Sequence, residues 1–129
     1  MWGVVKSLFR RPSAPAQPDP RPPEVVLDGT GAEVRFNRIP QWRIEWLQLR
    51  EVAIEVTVVE DAGYSEAFWQ LTGEGVDFGC PVELVAGADA FNARVFALSG
   101  FDHDAYRQAR DAEAAGRPGR FLCWQSGRG

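Results

Sequence analysis

The chain has 129 residues, of which 45% are hydrophobic and 25% charged, with a formal net charge of −4; this suits one domain with a core and is too short for two. The charge is uneven, because residues 1–23 carry four basic side chains against one acidic, whereas residues 24–129 carry ten against seventeen. An acidic body lacks the basic footprint that displaces counterions from phosphates, which argues against nucleic acid as a partner.

The first segment, residues 1–11, reads "MWGVVKSLFRR". On a helical wheel at about 100° per residue, Met1, Trp2, Val4, Val5, Leu8 and Phe9 fill one arc of about 160°. Gly3, Lys6, Ser7, Arg10 and Arg11 fill the rest, with no residue out of place. A basic amphipathic helix of this kind suits an anionic bilayer surface, with Met1, Trp2, Val5, Leu8 and Phe9 inserted and Lys6, Arg10 and Arg11 at the headgroups. Packing of the segment on its own domain is the competing reading. Residues 12–23, "PSAPAQPDPRPP", hold six of the nine prolines and should form an extended, semi-rigid spacer. The apolar run after Met1 is broken by Lys6 and lacks a cleavage-like site, and no stretch nears the apolar length of a membrane span. These features place the protein in the cytoplasm, peripheral at the inner face of the membrane.

A single α+β domain is expected over residues 24–129. "EVVLDGTGAEVRFNR" reads as two short strands about an Asp28-Gly29 turn. Trp42, Ile44 and Trp46 alternate in a further short strand or edge. In the following run Val52, Ile54, Val56 and Val58 share one face and Glu55 and Thr57 the other, so Glu51, Glu55 and Glu60 should lie on or beside a solvent face. "EAFWQLTG" follows as a strand. In "GVDFGCPVELV", Val76, Phe78, Cys80, Val82 and Leu84 share a face, and Pro81 marks an edge or a bulge. The period then becomes helical: Phe91, Val95 and Leu98 recur at i, i+4 and i+7 before Ser99-Gly100. "DHDAYRQARDAEAAG" is a second, more polar helix, and "RFLCWQ" is a short closing strand. Strands, then helices, then one strand predict an α+β fold with an antiparallel sheet of about five to six strands and two C-terminal helices. The four tryptophans of the domain, Trp42, Trp46, Trp69 and Trp124, fit core packing better than a ligand pocket.

The sole histidine, His103, sits between Asp102 and Asp104. Asp102 follows a helix-stopping glycine and has the short acceptor side chain of an N-cap, with Phe101 and Tyr106 at the two positions of a hydrophobic staple. Neighbours on a helix do not face one another, so neither aspartate would orient His103 as a base, and no second histidine completes a common metal set. No catalytic residue, metal ligand or cofactor is therefore assigned. Cys80 and Cys123 lie in apolar strand-like stretches and read as small buried residues; whether they pair stays open at this point.

Phe68, Trp69 and Leu71, then Gly100, Phe101 and Asp102, then Phe121, Cys123 and Trp124 together form a pattern: an F-W-x-L strand, a G-F-D helix junction and a terminal F-x-C-W. It resembles a group of small uncharacterised bacterial proteins over the last half of the chain, and the resemblance implies no activity. The strand-rich first part followed by a helix is also similar to pleckstrin-homology-like small barrels, from which two helices and a further strand depart. The expected function is a non-enzymatic binding or accessory domain, held at an anionic membrane surface or on a protein partner by its N-terminal segment. The alternatives are a small enzyme using His103 or a surface carboxylate, and an immunity-like protein whose acidic surface binds a basic protein partner.

Overall fold

A computed structural model of the chain describes residues 23–36, 38–59, 63–83 and 86–127. The expectations placed on residues 1–11 and on most of the proline spacer, and those for Glu60 and Leu84, lie outside the described residues.

Among the described residues, seven strands and two helices follow in order: β1 (Glu24–Leu27), β2 (Gly31–Phe36), β3 (Ile39–Glu45), β4 (Leu49–Val59), β5 (Tyr64–Gly73), β6 (Val76–Pro81), α1 (Ala88–Phe96), α2 (His103–Ala114) and β7 (Gly119–Gln125). They form an α+β fold, but not with one sheet. The strands divide into a three-stranded sheet, β1-β2-β3, and a four-stranded sheet ordered β6-β5-β4-β7, with every strand pair antiparallel. This corrects the expected single sheet of five to six strands. The division happens at a 3-10 turn, Trp46–Gln48, where the Gln48 side chain accepts the Glu45 N–H at 3.1 Å and Trp46 N–H donates to the Thr30 carbonyl at 2.9 Å. The run from Trp42 to Val58 is thus two strands in different sheets, joined by a capped corner.

The β1–β2 connection is held by Asp28, whose Oδ1 accepts the N–H groups of Thr30 and Gly31 at 2.9 and 3.0 Å. Arg43 on β3 reaches across to Asp28 with two guanidinium nitrogens, at 2.8 and 3.1 Å. That pairing holds the Asp28 carboxyl well below the usual carboxylate range, and the backbone donors add to it. β1 also touches the segment before α1, where Val25 N–H donates to the Ala86 carbonyl at 2.9 Å. Gly87 follows with φ of 85°, and a Cβ there would overlap the Val25 carbonyl oxygen. Glycine is needed at Gly87 both for the backbone angle and for the approach of β1.

One core joins these parts. On the inner face of the four-stranded sheet Val52, Ile54, Val56, Ala67, Trp69, Leu71, Phe78 and Cys80 are buried. They cluster with Phe91 and Val95 of α1, with Ala105, Ala109 and Ala112 of α2, and with Val25, Val34 and Ile44 of the three-stranded sheet. The alternation read along 52–56 therefore has Val52, Ile54 and Val56 facing this core. The small residues of α2 let the helix approach the sheet closely.

Trp69 is the centre of the cluster. Its ring lies 5.9 Å from that of Tyr106 in a stacked arrangement, and 6.0 to 6.4 Å from Phe96, Phe101 and Phe91. Its indole N–H donates to Asn92 Oδ1 at 2.7 Å, and Asn92 Nδ2 donates to the Val82 carbonyl at 2.8 Å. The one polar atom of a fully buried side chain is thereby satisfied, and β5, α1 and the end of β6 are tied together.

Candidate functional site

The start of α2 brings together the residues with most chemical capacity. Asp102 is extended at the N-cap, and its Oδ1 accepts the Ala105 N–H at 2.9 Å. Its own N–H donates to the Cys123 carbonyl at 2.7 Å, so the cap is fastened to β7. Phe101 and Tyr106 both pack on Phe96 and on Trp69, which makes the entry to α2 part of the inner core. His103 is exposed and lies edge-on to Phe101, with ring centroids 4.8 Å apart. Asp104 pairs with Arg107 one turn along the helix.

Beside this cap a cleft of about 320 Å³ opens between the α1–α2 turn and β7, lined by Ser99, Gly100, Asp102 and residues 122–125. Trp124 Nε1 donates to the Ser99 carbonyl at 2.8 Å and closes one wall. The volume is at the small end of ligand pockets. Its thiol is chemically quiet: Cys123 is pushed up to about 12 by burial and by the nearby Asp102 charge. Cys80 is likewise pushed up to about 12 by burial. Both cysteines are buried and free. Neither supplies a thiolate near neutral pH, so neither is a ready nucleophile. Among the described residues, no three His, Cys, Asp or Glu side chains gather so as to hold a metal ion.

Sequence reasoning missed a second surface. The outer face of the four-stranded sheet carries Glu51, Ala53, Glu55 and Thr57 on β4, Glu66, Phe68, Gln70 and Thr72 on β5, Asp77 on β6 and Arg120 on β7. It was expected to be a plain solvent face, and it is not. Phe68 and Ala53 are both 0% exposed, yet neither belongs to the inner core cluster. Glu55 and Glu66 each keep one carboxylate oxygen out of solvent, and the buried Thr57 hydroxyl has no hydrogen-bond partner among the described residues. Arg120 is engaged by Gln70 and Glu51 at the β7 side of the face. The signal was present in the sequence: an aromatic residue, Phe68, stands in the polar phase between Glu66 and Gln70.

No family model, no curated protein and no solved structure matches this chain. No described helix is long and apolar enough to cross a membrane.

Proposed function

We propose that the protein is a non-enzymatic accessory or binding domain that attaches reversibly to an anionic membrane surface through residues 1–11. The observation that carries this reading is the complete segregation of apolar and polar side chains in that segment, with Lys6, Arg10 and Arg11 on the polar arc. Each cation near an anionic surface contributes about 1 kcal/mol, and insertion of Trp2 and Phe9 adds to it, which gives weak and reversible attachment. The proline spacer would hold an acidic domain clear of a negative surface that repels it.

The folded domain supports the non-enzymatic part. Its histidine packs on Phe101, the adjacent aspartate caps a helix, and both thiols are buried with raised pKa values. These groups serve the fold. Co-sedimentation with vesicles containing anionic lipid tests the proposal. The full chain should bind, less so at high salt, and a chain beginning at Glu24 should stay in the supernatant. Equal binding by the two chains, insensitive to salt, would overturn it.

A further inference from the structure

We infer that the outer face of the four-stranded sheet is a docking surface for the protein's own residues 1–11. A side chain stands roughly perpendicular to its sheet, so cross-strand neighbours cover its flanks but not its outer edge. The neighbours of Phe68 are Glu55 on β4 and Pro81 on β6. Full burial of a phenyl ring there needs a layer above the sheet. Both helices and the three-stranded sheet contribute to the cluster on the other side. The covering layer must therefore come from outside the elements that build the inner core.

The chemistry of the face says what kind of layer fits. At its centre are the apolar Phe68 and Ala53, and among the described residues around them are Glu51, Glu55, Glu66 and Asp77 against one cation, Arg120. Carboxylate oxygens held out of water favour a cationic neighbour over an apolar one. The occupant should thus have an apolar stripe flanked by positive charge. Residues 1–11 have that pattern, with Met1, Trp2, Val4, Val5, Leu8 and Phe9 on one arc and Lys6, Arg10 and Arg11 beside it. The spacer has the reach: its twelve residues extend to about 37 Å at about 3.1 Å each, against a radius of gyration of about 13 Å for a domain of this size. The same arc cannot lie on a bilayer and on the sheet at once. This inference stands independently of membrane attachment.

Paramagnetic broadening in the full chain, without lipid, tests it. Both native thiols are buried, so the Ser7→Cys variant takes a nitroxide at one position outside the described fold. Amide signals of Ala53, Glu55 and residues 66–70 should be broadened, while those of Ala105 and Ala109 across the core should be spared. With Lys6→Glu and Arg10→Glu added, the broadening should fall by more than half. Even or absent broadening in the Ser7→Cys chain would overturn the proposal. So would broadening that arises only when isotope-labelled chain is mixed with a separate spin-labelled chain, because the occupant would then be a second copy. Undiminished broadening in the charge-reversed chain would overturn the ionic part of the recognition. Vesicle binding plays no part in the readout, so failure here and failure of membrane attachment are told apart.

Discussion

Phe68 and Trp69 are adjacent in β5, both fully buried, and they point to opposite sides of the same sheet. Trp69 meets four aromatic rings from α1, α2 and the turn between them, and its indole N–H is bonded to Asn92. Phe68 lies among carboxylates, outside the cluster to which all described helices contribute. The inner face is a core built by elements of the described fold. The outer face has the burial of a core but the charge pattern of a surface.

Changes on the inner face should be costly whatever covers the outer one. Trp69→Ala should lower stability by about 3–5 kcal/mol in chemical denaturation, since it removes a buried aromatic group and leaves Asn92 without its donor. A loss under about 1 kcal/mol would show that the inner cluster is not the centre of the fold. The start of α2 should contribute less. Asp102→Ala should cost about 0.5–2 kcal/mol, the usual loss for an N-cap, and His103→Ala should stay within about 0.5 kcal/mol, as for an exposed position. A larger effect at His103 than at Asp102 would reverse the roles given to them.

The smallest expected effect is that of acid on the three-stranded sheet. Asp28 has a folded-state pKa held below its ordinary value, first by Arg43 and then by backbone donors. Its contribution is therefore present above about pH 3.9 and is lost as the pH falls toward the lower folded value. Asp28 and Arg43 are partly open to solvent, so the effect is modest. Wild type should be more stable than Asp28→Asn at neutral pH, and the difference should shrink on acidification below about pH 4. A difference that grows in acid would contradict the assignment.

Much of the fold was legible in the sequence because it rests on local periods. The two-residue alternation of Val52, Ile54 and Val56 marks the inner face of β4, and the spacing of Phe91 and Val95 marks the buried side of α1. The division into two sheets was not legible. It depends on the corner at Trp46–Gln48, which carries no glycine or proline and is stabilised by the Gln48 side chain and by a bond to distant Thr30. Strand β6 ends at Pro81, earlier than its apolar alternation suggests, because the chain bends there toward Ala86 and β1. The cap chemistry of Asp102 is local and could be read directly. The outer face left only one sign in the sequence, Phe68 in the polar phase of β5, since alternation alone makes Glu55 and Glu66 look like ordinary solvent-facing acids. Only the burial of Phe68 between them shows that the polar phase of β5 faces something other than water.

The most direct test of that conclusion compares the cost of Phe68→Ala in two backgrounds by urea denaturation. In the full chain a fully buried phenylalanine should cost about 3 kcal/mol or more when truncated. In a chain without residues 1–11 the same substitution should cost under about 1 kcal/mol, because the ring would already be exposed and the interaction energy with its cover already lost. The same cost in both backgrounds would contradict the account and place the cover of the outer face elsewhere.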